Sequence, residues 1–540
     1  MTPTYRGSDP PPVDRAAGAP DNHWLPPAPA GGRSGGIRIM SQIQVRAVLV
    51  TAALALVAAS ALAAGYTDLE DEVQEFTLDN GMRFLVLEDH SVPVFSFSTV
   101  VRVGSANEVR GITGISHLLE HMAFKGTSEI GTEDIEAERE AMRREDEAFA
   151  ALKAERNKGP RADPDRLAEL EEAFEEAKDA AREYVVSNQY GEIVEKHGGV
   201  GMNAGTWTDY TQYFYSMPSN RLELWAYLEG TRMRDIVLRE FYTEKDGPVT
   251  EERRMRVDDS PMGKLYLEQF QNLAFDANGY HHSPIGYPAD LANMTRADAR
   301  DYYDLHYIGP NITVAVVGDV EFGDVKKYAR EYFADIPGGE PREMETFEPD
   351  QLGEKRLVLR QDAQPMLMLG YKIEGINHDD WPVYQAIADI LGQGRTSRLH
   401  TRAVKEDQKA VQCAAFAGFP GVRYRNLLTV IGIPAKDVTA TELEEIVLDE
   451  IDRLVTEGPT AEELEGVKRR AKANFVRGLQ GNRGLSSQLA MTQAMTGDWR
   501  NLFREVADME AVTLEDIRRV ASEIFTEQNR TVAMSEKLES

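Results

Sequence analysis

The chain has 540 residues, is 42% hydrophobic and 28% charged, and carries a net charge of −30 with a single cysteine, Cys413. That length exceeds one ordinary core and implies at least two domains. The acidic balance argues against a nucleic-acid surface, which needs a basic patch. A lone cysteine excludes internal disulfides and cysteine metal clusters, so any metal must be held by histidines and carboxylates.

Residues 1–39 are rich in Pro, Gly and Ala and show no core-forming pattern. "MSQIQVRAVLVTAALALVAASALAAG" follows, with Met40 and Arg46 ahead of an apolar run and Ala61-Leu62-Ala63 as a small-x-small cleavage site. This is the layout of a signal peptide over residues 40–63, with Met40 as the expected start and 1–39 as an extension outside it. The run is shorter than the ~20 residues of a membrane span, so cleavage and a periplasmic or secreted location are expected, with no stable span afterwards.

From Val73 the pattern is mixed α/β. "QEFTLDNGMRFLVLED" predicts strand, Asn-Gly turn, strand, and "VPVFSFSTVVRVGS" a third, strongly apolar strand. "GITGISHLLEHMAFKG" (residues 111–126) predicts a helix that Thr113 can cap and Gly126 can end. Residues 133–185 predict two charged helices joined by a Gly/Pro turn, a hairpin projecting from the domain as a solvated insertion. "GMNAGTWTDYTQYFYS" alternates from Asn203 to Ser216 as one edge strand would. A Pro/Gly-rich linker occupies 341–354.

Beyond the linker the first half is echoed. "HYIGPNITVAVVGDV" (306–320) is matched by "IFTEQNRTVAMSEK" (524–537), each after a polar helix, and "HLLEHMAFKGTSEI" by "AIADILGQGRTSRL". Two related α/β domains, 65–340 and 355–540, are expected. The second copy lacks both histidines and the glutamate of the first, so only the first half is equipped for chemistry.

On a helix, His117 and His121 share a face at i and i+4 and can grip one metal ion. Imidazole suits zinc, and a catalytic zinc takes three protein ligands and a water. Glu120, beside them, is placed to act as general base on that water. The apolar neighbours Ile115, Leu118, Leu119 and Met122 hold this helix to a core, where charge without a metal is costly. A third ligand is needed from another helix, and the candidate segment is "REFYTEKDGPVTEERRMRVDDSP", 239–261. His281, His282 and His306 lack ligand spacing. "GQGRTSRLH" (392–400) lacks the ending of a phosphate loop and reads equally as a flexible substrate-contacting loop or a plain turn.

"HLLEH", "GGVGMNAGTWTDYTQYFYSMP" and "EERRMR" together strongly resemble the pitrilysin/insulinase-like zinc peptidases, or inverzincins, over about residues 70–535. The likeness is greatest to bacterial members with one active unit per chain and to the mitochondrial processing peptidase β subunit. The resemblance implies two homologous α/β domains, each a mostly antiparallel sheet packed with helices. It implies one zinc ion held by His117 and His121, with Glu120 as base. The family's third ligand lies seven residues after a supporting glutamate, and here the count slips by one. From Glu244 it lands on Glu251, whereas matching "EERRMR" lands on Glu252, the choice favoured if Gly247-Pro248 restarts the helix at Pro248. In the second repeat Lys468 stands where that carboxylate would be needed, leaving that domain metal-free. Asn203 and Ala204 match the strand that pairs with substrate. The implied activity is a zinc metalloendopeptidase acting on peptides or unfolded segments, as a homodimer or beside an inactive paralogue. The competing reading is a non-catalytic partner subunit, but such relatives typically have a degraded motif and this chain keeps all three elements.

Overall fold

The computed structural model describes residues 69–344 and 346–538; the expectations for residues 1–68, the signal peptide among them, lie outside these. Two sheets organise the molecule. The first contains β1 (Gln74–Thr77), β2 (Arg83–Glu88), β3 (Val94–Val101), β4 (Val200–Thr206), β5 (Thr211–Pro218) and β6 (Ile312–Gly318), in the order β1-β2-β6-β3-β5-β4. The second contains β7 (Lys355–Gln361), β8 (Met366–Ile373), β9 (Ala410–Phe419), β10 (Asn426–Pro434) and β11 (Arg530–Lys537), in the order β7-β11-β8-β10-β9. β2–β6 and β7–β11 are the parallel pairs, and every other neighbouring pair is antiparallel. The second sheet therefore repeats the first without β1.

The helices around them include α1 (Ile115–Met122), α2 (Ile135–Arg156), α3 (Pro164–Arg182), α4 (Arg296–His306), α5 (Trp381–Gly392), α6 (Ala461–Gly478), α7 (Gly481–Thr496) and α8 (Leu514–Ile524). The two echoed polar helices, α4 and α8, even start alike: Thr295 with Asp298, and Thr513 with Asp516, exchange reciprocal capping bonds.

Alternation along the central strands sends side chains to two buried faces. Phe84, Val86, Phe97 and Val316 meet Leu118, Leu119 and Met122 of α1. Leu85, Leu87 and Val317 meet Leu485 and Leu489 of α7, a helix from the far end of the chain. The second sheet reciprocates, with Leu369 and Val430 packed on Ile387 and Leu391 of α5 and Met368 and Leu427 packed on Leu265 and Phe270 of the first half. Each half thus lends a helix to the other's sheet. That double burial explains the continuous apolar runs of β3, β6 and β8.

Four local expectations need correction. The stretch from Asn203 to Ser216 is a hairpin, not one strand; β5 is interior, and only β4 lies at the edge. Trp207–Tyr210 makes the turn because Asp209 is pulled inward by Tyr280 and by the backbone of Val422 and Arg423. Thr113 does not cap α1; its hydroxyl donates to Asp290. The orphan N–H groups of Gly114 and Ser116 go instead to the buried carboxylate of Glu108, at 2.8 and 2.9 Å. α1 stops at Met122, and Gly126, with φ +96°, serves the following turn rather than ending the helix. Finally, the base of the α2–α3 hairpin is docked, not projecting, because the buried Arg239 and Arg296 bind Glu138 and Glu145. No described helix is long and apolar enough to cross a membrane.

Candidate metal centre

α1 follows β3 and lies against the first sheet with its apolar face inward. The four-residue spacing brings His117 Nε2 and His121 Nε2 to 3.3 Å from one another. The third group is Glu252: its Oε2 lies 3.4 Å from His117 Nε2 and 3.5 Å from His121 Nε2. Edges of a tetrahedron around an ion with ligand distances of about 2.0–2.1 Å measure about 3.3–3.4 Å. The donor set, two imidazole nitrogens and one carboxylate oxygen, thus fits zinc in chemistry and in spacing.

The supporting contacts orient these donors. His121 Nδ1 donates to Glu244 Oε1 at 3.0 Å, which leaves the lone pair of a neutral ring at Nε2, toward His117 and Glu252. Glu244 is in turn held by Lys125, whose Nζ lies 2.6 Å from Glu244 Oε2 and 3.2 Å from Glu240 Oε2. Burial alone would raise the Glu244 carboxyl, but its bonds to His121 and Lys125 outweigh this and hold it below the usual range. Hydrogen bonds from His117 and His121 likewise hold Glu252 far below it, against burial. Arg256 takes the second oxygen of Glu252 at 2.8 Å. In the metal-free protein His121 is pushed up to about 9: burial opposes its charge, but Glu244, Glu252 and Glu120 prevail.

The segment carrying Glu244 and Glu252 does not restart at Pro248. It runs on as an α-turn (Phe241–Glu244), a π-turn (Lys245–Val249), a second α-turn (Thr250–Arg253) and a second π-turn (Arg254–Asp258). Proline lacks an N–H and collides with the carbonyl four residues back, and the wider π-turn relieves both problems. It also absorbs one residue. On a regular helix positions eight apart diverge by about 80°, and removing one residue from the count brings them within about 20°. Glu244 and Glu252 therefore face the same histidine. Glu251 points away, pairing with Arg254 at 3.0 Å with its side chain 58% exposed.

Glu120 lies off this triangle, and its Oε2 accepts a bond from Thr206 Oγ1 at 2.8 Å. Thr206 ends β4, so the catalytic candidate and the edge strand are tied together. Asn203 and Ala204 sit in that strand opposite Phe214 and Tyr213, with Asn203 exposed. Thr206, Lys125 and Glu108 were missed by sequence reasoning. Their partners are distant in the chain, and no local signal in the sequence marks them. Of the other histidines, His282 Nε2 donates to Glu108 at 2.9 Å beneath α1, and His281 bonds Asn278 O. Neither of them, nor His306, joins a metal-capable cluster among the described residues. The "GQGRTSRLH" segment is a turn secured by Arg398, which binds Glu463 and Gly458 O.

Comparisons with known proteins agree with this architecture. Residues 83–153 match the family described as Insulinase (Peptidase family M16), and residues 293–471 match the one described as Peptidase M16 inactive domain. The chain is 27% identical over 468 residues to the zinc protease PqqE of Helicobacter pylori, covering 85% of this chain and 91% of that protein. It is 20% identical over 470 residues to the mitochondrial-processing peptidase subunit beta of Mus musculus, covering 86% and 84%. The crystal structure of a protease from Helicobacter pylori superposes with a TM-score of 0.71 at 25% identity, over 86% of this chain and 99% of that one.

Proposed function

We propose that this chain, a member of the insulinase (M16) family of peptidases, is an exported zinc metalloendopeptidase acting on peptides or unfolded segments. The observation that carries the proposal is the 3.3–3.5 Å triangle of His117, His121 and Glu252. Those three residues would hold the zinc, with Glu244 supporting His121. Zinc bound there supplies Lewis-acid activation of a water and of the scissile carbonyl. The remaining work falls to the chain. Thr206 fixes one oxygen of Glu120, and Oε1 has no hydrogen-bond partner among the described residues, so it is free to take the water's proton and return it to the leaving amine. The outer edge of β4, around Asn203 and Ala204, offers backbone groups with which an extended substrate pairs as an added strand. One chain forms one such unit, so it works beside a second copy of itself or an inactive relative.

The test is zinc content and peptide hydrolysis on residues 64–540, the compact unit of the chain, beside Glu120→Gln. Hydrolysis is expected to fall at least ~10²–10⁴-fold in the variant, while zinc stays near one per chain. Zinc without hydrolysis in either protein points to the missing partner. A folded parent that takes up no zinc overturns the proposal.

A further inference from the structure

A π-turn is an uncommon way to run a helix, and here it decides which side chains face the histidines. The residues where it begins are not left to solvent. Tyr242, two positions before Glu244, and Lys245, the position after, both project into the α2–α3 hairpin and are 1% exposed as a residue and a side chain, respectively. The Tyr242 hydroxyl donates to Asp146 at 2.9 Å. Its ring lies 4.4 Å from that of Phe149 and 5.3 Å from that of Phe174. Lys245 Nζ sits 5.3 Å over the Phe149 ring. Arg296 closes the joint, donating to the same Asp146 oxygen at 2.7 Å.

We infer that the α2–α3 hairpin is the brace that fixes the π-turn register of the ligand helix. Phe149 and Asp146 are its positioning residues, and through them the hairpin sets how tightly the site holds zinc. The inference rests on the zinc reading above. A regular α-helix through Lys245–Val249 would swing Glu252 away from the side that Glu244 faces by about one residue's rotation, roughly 100°. Anchoring Tyr242 and Lys245 in the hairpin prevents the upstream turn from rotating to meet that alternative. The charged surface of the hairpin keeps it soluble, while its buried aromatic seam does the positioning.

The experiment compares the parent with Phe149→Ala, Phe149→Leu, Asp146→Asn and, at the hairpin's exposed far end, Glu171→Ala, whose partner is Arg156. Zinc affinity is read by competition with a chromogenic chelator, site geometry by the visible spectrum of the cobalt-substituted protein, and folding by melting of the metal-free form. Supporting contacts of this kind change metal affinity about 10–100-fold. Phe149→Ala is expected to lose that much and to alter the cobalt spectrum, Phe149→Leu to recover most of it, and Glu171→Ala to change neither. A folded Phe149→Ala protein with zinc affinity within about twofold of the parent and an unchanged cobalt spectrum overturns the brace. If that variant does not fold, Asp146→Asn is judged by the same criterion. If the parent itself binds no zinc, the functional proposal fails instead. Amide exchange over residues 241–253 then still decides the brace: loss of protection in the variant supports it, and unchanged protection refutes it.

Discussion

The two halves place a helix at the same point of the same topology: α1 after β3 and α5 after β8. Their polar groups are treated differently. In α1 the histidines face Glu252, and the donors converge on a space that suits a cation. In α5 the positions matched to His117 and His121 are Ala386 and Ile390, both buried, and the one matched to Glu120 is Asp389. Asp389 is neutralised by Arg470 of α6, with Arg470 Nε donating at 2.9 Å. A carboxylate beside a core needs a partner in either case. One half supplies a permanent guanidinium, the other leaves the place for a metal. The scaffold permits both, and the identity of three or four side chains chooses.

That contrast can be broken at its strongest point first. Glu252→Ala removes one of the three proposed ligands and is expected to weaken zinc binding more than about 100-fold, beyond the effect of any supporting contact. Zinc retained at full affinity in the chelator competition would mean that the triangle is not the site. Protons should compete next. Zinc needs a neutral imidazole, and His121 holds its proton up to about 9 in the metal-free protein. Zinc affinity is therefore expected to rise about tenfold per pH unit and level off above that value. A profile flat from neutral pH would remove His121 from the ligand set. The sign for folding is opposite. A pKa raised from the ordinary 6.5 to about 9 gives the metal-free fold a contribution that is full below 6.5 and lost as pH rises through 9.

The second half should respond in stability alone. Arg470→Met leaves Asp389 unpaired at a half-buried position and is expected to cost about 1–2 kcal/mol in denaturant unfolding, with zinc content unchanged. Zinc lost along with stability would show that the halves are not chemically separate. The smallest effect belongs to Glu251→Ala, next to the proposed ligand in sequence but facing solvent. Zinc affinity there should match the parent, and a large loss would exchange the roles of the two glutamates.

By itself the sequence determined the parts that depend on local period. The four-residue spacing of His117 and His121 puts them on one helical face wherever that helix packs. The short apolar runs of β3, β6 and β8 mark strands buried on both faces, and the repeated Thr-x-x-Asp starts mark equivalent helices in the two halves. What lay out of reach depends on partners far along the chain. Thr113 has every mark of a cap, yet Glu108 does the capping, because its buried carboxylate accepts from the N–H groups of Gly114 and Ser116 and from His282. The hairpin's charge pattern describes its solvent side and says nothing of the aromatic seam against Tyr242. Which of Glu251 and Glu252 faces the histidines depends on a π-turn that counting along a regular helix does not contain. The aromatic seam that packs on Tyr242 and Lys245 lies far from that turn in sequence, which is why only the folded molecule reveals the outcome.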